Sequence, residues 1–300
     1  MMALVAPVAH WDDAEPEVGE VGHLGGTWSD LGLAAGSVTL GVNRIQVQPG
    51  KWSTPAHVEL AEEEIHFILG GTGISWQEAE TYEVGEGDCL LHLVEEQTHT
   101  LRAGPDGLDV LAFGTRRPSG GTYLPRAGVV RMGPGNAVAR DDKHPWELEA
   151  EAGPPEVGDP SERPQRIVAL ADVVPEQYGA GLVRELGLLT GSVSTGISHV
   201  ELGPGNEGSP PHCHSAEEEL FVVLDGEGVC LLGDEEHPVR RGSIVSRPPA
   251  TGVSHSFRAG QRGLTYLAYG SREANDIVYY PRTREVKLRG VGVRFTVPEC

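Results

Sequence analysis

Lysine is nearly missing from this chain: its 300 residues include only Lys51, Lys143 and Lys287, and Lys and Arg together number 23 against 44 Asp and Glu. A formal charge of −21 repels a phosphate backbone or an anionic bilayer, so nucleic acid and membrane surfaces are excluded as partners. A phosphosugar substrate is disfavoured too, because no basic cluster is present to hold its phosphate. Apolar residues never run on for the roughly 18 positions of a membrane-spanning helix. The opening MMALVAPVAHWDDAEPE has a short apolar stretch but no basic start, and so lacks the form of a secretory signal. Cysteine is equally sparse. Cys89, Cys213, Cys230 and Cys300 make no CxxC pair and no disulfide framework, and a reduced, cytoplasmic protein is expected.

Punctuation is plentiful. The 41 Gly and 22 Pro stand among frequent Val and Leu, the pattern of many short strands separated by turns, and helical periodicity is scarce. A hydrophobic fraction of 39% supports packed interiors, and the length points to about two domains.

The order of residues shows a duplication. His212, His214 and Glu219 lie in PPHCHSAEEELFVVLDGEG, and His255 follows in TGVSHSFRAG. Offset by 155 and then 156 residues stand His57, Glu59 and Glu64 in PAHVELAEEEIHFILGGTG, then His99 in EEQTHTLRAG. The segment Leu31 to Gly50 matches Leu186 to Gly205 at 9 of 20 positions, and further on Gly114 pairs with Gly270 and Arg126 with Arg282. A period this long is no solenoid, so each copy is expected to be a domain with its own core. The expected boundaries are 1–132 for an amino-terminal barrel with its lead-in, 133–165 for a Pro/Gly-rich linker pinned by Trp146, and 166–300 for a carboxy-terminal barrel. The segments RIVALADVVPEQYGAG and VGVRFTVPEC are candidates to add strands to a neighbouring sheet.

Within each copy the pattern is antiparallel β. EIHFILGGTGISW and ELFVVLDGEGVCLL read as strand, Gly-rich turn, strand, and LDVLAFG and LTYLAYG close each set. An all-β fold follows, a closed barrel or jelly roll in each half. Apolar strand faces are expected to cover one another between the halves, about a pseudo-twofold axis.

Strand periodicity also sets the chemistry. On an extended strand His212 and His214 share one face and Cys213 turns to the other. Glu219 adds an oxygen and His255 a third imidazole from a distant strand. Three nitrogens and one oxygen with open positions suit Fe(II), Mn(II), Ni(II), Co(II) or Zn(II). The amino-terminal set, His57, Glu59, Glu64 and His99, has two carboxylates and leans to harder ions, Mn(II) or Fe(II). An ion there is more nearly neutralised and a poorer Lewis acid, so the expected role is structural or auxiliary, a metal-free vestige being the alternative. His66 shares the face of Glu64 and is expected to support a ligand. Glu62, Glu63, Glu217 and Glu218 read as a solvated loop. Arg102 and Arg258 fall on the opposite strand face, suited to salt bridges or a domain contact. Tyr266, Tyr269 and Phe113 are core or pocket-lining candidates, and His10, His23, His144 and His237 lie outside the motifs.

Gly205, His212, His214, Glu219 and Gly226, followed by Gly242, Pro248, Gly252 and His255, resemble the two sequence motifs of the cupin superfamily. One extra residue lies between Gly205 and His212, two are inserted after Pro248, and Ala259 stands where the second motif ends in Asn. The amino-terminal copy departs further. Glu59 replaces the second His, Leu93 the Pro, and Glu96 or Gln97 the Gly before the last His. With the duplication, the chain resembles a bicupin over about 200 of its 300 residues. The resemblance implies two tandem cupin-type double-stranded β-helix (jelly-roll) barrels and a divalent transition metal, Fe(II) or Mn(II) first. It also implies a small-molecule substrate or ligand, among activities that include dioxygenases, oxalate-type decarboxylases, isomerases and metal-free binding proteins. The first expectation is a dioxygenase-like oxidoreductase acting on a small oxygen-rich substrate, such as a diketone or enol, at the carboxy-terminal site. The alternatives are a non-catalytic metal- and small-molecule-binding bicupin, or a cupin-type decarboxylase or isomerase. Assembly as a homodimer stays open.

Overall fold

A computed structural model describes residues 8–78, 80–116, 120–132 and 143–298, and the backbone alone of 136–138. Cys300 and part of the expected linker lie outside the described residues. No helix among them is long and apolar enough to cross a membrane.

Each half combines an eight-stranded sheet with a four-stranded one. In the amino-terminal large sheet, Glu64–Gln77 pairs with His99–Thr115, which continues to Leu40–Val47 and Leu24–Asp30. The carboxy-terminal large sheet repeats this order with Glu219–Leu232, His255–Ser271, Thr195–Leu202 and Gly181–Arg184. Every ladder is antiparallel, as the short turns require. The small sheets are built around Gly121–Leu124 and Val129–Met132, and around Ile277–Tyr280 and Glu285–Leu288. These are two jelly rolls in tandem, each with two sheets.

The long strands wrap by bulging. In Glu219–Leu232 the register shifts between Val223 and Asp225 and again between Gly226 and Gly228. Gly226, the last residue of the first motif, sits at φ 78°, and a Cβ there would stand 2.2 Å from the carbonyl oxygen of Gly263. Only glycine fits so tight a crossing.

Alternation sends successive residues of these strands to two different cores. Ile65, Phe67, Leu220 and Val222 enter a cluster shared by both halves, with Leu111, Phe113, Leu267 and Tyr269. Ile68 and Val110 face the amino-terminal barrel interior, and Phe221 and Val223 the carboxy-terminal one. Both faces of each large sheet are therefore buried, and the central strands read as nearly continuous apolar runs. Equivalent residues meet across the junction: the rings of Phe113 and Tyr269 lie 5.0 Å apart. That is the mark of a self-complementary, twofold-like interface.

The acidic loops at this junction are not solvated, contrary to expectation. Glu63 is 3% exposed and Glu218 0%. Glu63 accepts hydrogen bonds from Ser192 Oγ (2.8 Å) and from the backbone amides of Val193 (2.8 Å), Ser194 (3.1 Å) and Thr195 (3.3 Å). Glu218 does the same to the other half, through Val38 N (2.8 Å), Thr39 N (2.5 Å) and Leu40 N (3.1 Å). Glu217 is buried against Arg289, and Glu62 accepts from Thr115 Oγ1 at 2.8 Å. A run of carboxylates reads as solvated until a loop of the other copy supplies donors.

Sheet membership crosses the halves. Val8–His10 pairs with Ser243–Arg247 of the carboxy-terminal sheet, and Ile167–Ala169 pairs with Asp88–His92 of the amino-terminal one. Each exchanged strand covers an edge that would otherwise be open. Glu176–Tyr178 and Val293–Thr296 extend carboxy-terminal sheets. The linker is not wholly irregular. Pro145–Ala152 is a helix whose first turn is closed reciprocally by the His144 side chain and Glu147. Trp146 packs edge-on against Trp28 at 4.9 Å, and Glu149, fully buried, takes a 2.7 Å hydrogen bond from Arg126 Nε.

Candidate functional site

Glu219 opens its strand on the face of Phe221 and Val223, so its carboxylate points into the carboxy-terminal barrel. His212 and His255 are joined by reciprocal backbone bonds, His212 N to His255 O at 3.2 Å and His255 N to His212 O at 2.8 Å. His214 pairs with Val278 of the small sheet. These elements bring His255 Nε2 to 2.7 Å from Glu219 Oε2, His214 Nε2 to 3.3 Å and His212 Nε2 to 4.0 Å. His214 Nε2, His255 Nε2 and Glu219 Oε2 are buried without a hydrogen-bond partner, although both nitrogens lie close to that oxygen. Their approach lacks hydrogen-bond alignment.

The far sides of the rings fix what the near sides offer. His212 Nδ1 lies 2.8 Å from the carbonyl of Pro210, which can only accept, so the proton sits on Nδ1 and Nε2 keeps its lone pair in the neutral ring. His214 Nδ1 donates to Asp276 Oδ2 at 2.7 Å. Asp276 is itself held by the amides of Ala216 (2.9 Å) and Glu217 (3.2 Å). Burial would raise its pKa, but these bonds outweigh it and hold the group at about 2. Burial opposes charge on His214 as well, yet Asp276 and Glu219 lift it to about 10. Burial and the neighbouring His255 keep His212 down at about 4. Despite burial, His255 and His214 hold Glu219 well below the usual carboxylate range. The pocket favours added positive charge beside Glu219, and converging imidazole lone pairs with one carboxylate fit a divalent metal ion.

The donors stand in a cavity of 460 Å³. Phe221, Phe257 and Tyr266 form an aromatic wall, with Phe257 and Tyr266 stacked at 4.7 Å. Tyr280 lies over His212, ring centroids 5.5 Å apart, and Lys287 also lines the space. Of the aromatic candidates, Tyr266 faces this cavity, whereas Phe113 and Tyr269 lie in the junction core.

In the amino-terminal barrel, donor atoms of His57, Glu64 and His99 come within 4.8 Å of one another. Glu59 stands outside that trio, 3.5 Å from His57 Nε2 and within reach of the Thr122 hydroxyl at 3.3 Å. His57 and His99 turn Nδ1 to the carbonyls of Pro55 (2.8 Å) and Gln97 (3.0 Å), again leaving Nε2 to the interior. Burial opposes charge on His57, but Glu64 and Glu59 lift it to about 9, while burial and His57 hold His99 at about 4. Burial and neighbouring carboxylates push Glu59 to about 7. His66 touches Glu64 at 3.0 Å, as its shared face requires. The linker helix carries Trp146 onto Leu24, Trp52, Ala56 and Trp76, immediately before His57.

Two buried groups carry no spacing signal. His92 is stacked on His99 at 3.7 Å with neither ring nitrogen bonded, and burial drives its pKa far down. It occupies the place of Arg247 in the other copy, so the 155-residue offset pairs it with no candidate ligand and gives no signal. Asp276 comes from an irregular loop, where no periodicity predicts an inward carboxylate. Cys213 is half-buried on the outer side of its strand. Arg258 pairs with Glu236 at 2.7 Å and Arg102 reaches the Gly50 carbonyl at 3.4 Å, so both serve the surface. His10 bonds the Arg241 carbonyl at 2.9 Å, and His237 lies 3.2 Å from Glu235.

Residues 198–266 match the cupin domain family. No curated protein matches the chain in sequence. Among solved structures, it is similar to the oxalate decarboxylase of Lactobacillus farciminis in its formate complex, at TM-score 0.63 and 14% identity over 91% of this chain and 88% of that one. It is also similar to the Bacillus subtilis oxalate decarboxylase studied for its Mn(II) centres, at TM-score 0.62 and 14% identity over 92% and 80%. At that identity the likeness shows a shared fold. With a cupin domain at residues 198–266 and the same architecture repeated in its first half, the chain has the two-barrel fold of a bicupin.

Proposed function

We propose that this bicupin is a metal-dependent enzyme whose carboxy-terminal barrel acts on a small oxygen-rich acid, removing one carboxylate group as carbon dioxide and putting a proton in its place. One observation carries the proposal: His212, His214, His255 and Glu219 converge, with three buried atoms unbonded, inside a 460 Å³ cavity. These four residues would hold the ion, Mn(II) or Fe(II) being favoured by the mixed imidazole and carboxylate set and by the Mn(II) relative of like fold. The ion supplies Lewis acidity, which polarises a chelating oxygen. The protein's own groups do the rest. Asp276 fixes the tautomer and aim of His214. The wall of Phe221, Phe257 and Tyr266 excludes water and strengthens every charge interaction inside. The relatives that act on oxalate support decarboxylation as the reaction class.

Dioxygenation of a chelating enol or diketone is the second reading, favoured by that same aromatic wall, which suits an apolar flank. Elemental analysis of purified protein, followed by assays of the Mn(II)- and Fe(II)-loaded forms, separates the two. Carbon dioxide release from small acids, with no stoichiometric uptake of O2, supports the first reading. Stoichiometric O2 consumption with a diketone supports the second. A protein that retains neither metal at the carboxy-terminal donors sinks both.

The amino-terminal set of His57, Glu64 and His99, with Glu59 beside it, is proposed as an auxiliary metal site. Two carboxylates and the packed linker helix fit a structural role. Metal-to-chain ratios near two would support it, and loss of only one ion in a His214→Ala variant would assign the other.

A further inference from the structure

Across the small carboxy-terminal sheet, one row of directly paired residues runs His214, Val278, Lys287, Arg294. Paired residues of an antiparallel ladder point to the same face and lie about 4.5–5.5 Å apart at Cα. His214 and Lys287 are two steps apart, roughly 10 Å, and both line the cavity. Arg289 lines it too, but its charge is taken by Glu217, as that of Arg294 is by Glu285 at 3.3 Å. Lys287 has no ion-pair partner among the described residues. In a chain of net charge −21 with three lysines, an uncompensated ammonium facing a cavity is unlike the rest of the surface. Glu176 and Glu185 also line the space, and Glu185 accepts from Ser198 Oγ at 2.8 Å. Those carboxylates repel an anion from their side, which leaves the Lys287 wall to receive it.

We infer that Lys287 is a specificity residue, holding a second anionic group of the substrate away from the end that meets His212, His214, His255 and Glu219. This rests on the reading of the carboxy-terminal cavity as the substrate site. Two carboxylates joined by a single bond cannot reach both places, so the preferred ligand is a diacid with several atoms between its acidic ends.

The test is calorimetric binding to Mn(II)-loaded protein, comparing malonate, succinate and glutarate with propionate, butyrate and valerate. In the native protein one diacid should bind roughly tenfold or more tighter than the monoacid of matched length, the effect of one charge-assisted hydrogen bond in a partly desolvated wall. Lys287→Met should abolish that ratio and Lys287→Arg should largely keep it, with circular dichroism checking that both are folded. Monoacid binding without any diacid advantage overturns the inference and leaves the site reading intact, as does an advantage that survives Lys287→Met. Failure of every acid to bind overturns the site reading and the inference with it.

Discussion

Replacing Glu63 with Ala should destabilise the whole molecule, because that carboxylate joins the two barrels from the amino-terminal side. It accepts from the Ser192 hydroxyl at 2.8 Å, from three consecutive backbone amides at 2.8, 3.1 and 3.3 Å, and from Thr195 Oγ1 at 3.2 Å. Each buried donor left unpaired costs about 1–3 kcal/mol, but an opened loop lets water reach some of them. A net loss of about 3 kcal/mol is expected, or roughly 6–12 °C in melting temperature for domains of this size. Glu63→Gln keeps one acceptor oxygen but sets an NH2 against amide donors, and should cost about 2 kcal/mol. The carboxyl is held below the ordinary 4.5: burial raises it, but the amides and Ser192 outweigh burial. A depressed folded pKa contributes stability above the unfolded value, lost as pH falls through the folded one. The gap between native protein and Glu63→Gln should therefore be constant above about pH 5 and shrink in acid. Scanning calorimetry from pH 4 to 8, with a double-mutant cycle against Ser192→Ala, measures this. A Glu63→Ala shift of less than about 2 °C, or no coupling to Ser192, would refute the clamp.

Other perturbations read out the candidate metal centre. His214→Ala should sharply lower metal content at the carboxy-terminal site while leaving the barrel folded, as elemental analysis and circular dichroism would show. Asp276→Asn keeps the size of the side chain but no longer accepts as a carboxylate, and metal affinity should fall about 10–100-fold in chelator competition. Unchanged affinity would make Asp276 a loop anchor only. His255→Ala should abolish turnover with little loss of stability, whereas Glu59→Ala or His99→Ala should lower the melting temperature more than the rate. The reverse ranking would move the chemistry to the amino-terminal barrel.

The two β halves were legible because they rest on short periods and a long repeat, and so was the approach of His57, Glu64 and His99 to one another, whereas Glu59 stands apart from that trio. Two-residue alternation placed His212 with His214, and the offset of 155 pointed from Glu219 to Glu64. Buried contacts between copies were not legible. Glu63 and Glu218 look like neighbours of any surface carboxylate until the loops at Val193 and Thr39 are brought against them. The strand exchange is of the same kind: Val8–His10 joins the far sheet, and no local pattern says which edge a strand will cover. Asp276 was hidden by its irregular backbone, where side-chain direction has no period. The Pro145–Ala152 helix was hidden by its shortness, although Pro145 at the start and Glu147 opposite His144 are helix-start signals.

In each copy the junction and the site are coupled through one peptide bond. Glu63 and Glu64 are consecutive, as are Glu218 and Glu219, and consecutive residues of an extended chain point to opposite sides. One carboxylate therefore reaches outward to amides of the other barrel, while the next reaches inward to three imidazoles. The strand that aims Glu219 is held from behind by Val38, Thr39 and Leu40, and the strand that aims Glu64 by Val193, Ser194 and Thr195. A donor set must be fixed to within about half an ångström to discriminate among ions, and residues at strand starts are otherwise the least constrained part of a sheet. The duplication supplies that constraint: each barrel is the rigid backing of the other's ligand strand. A barrel separated from its partner would expose Phe67 or Val222 and release the carboxylate that its metal-facing geometry depends on.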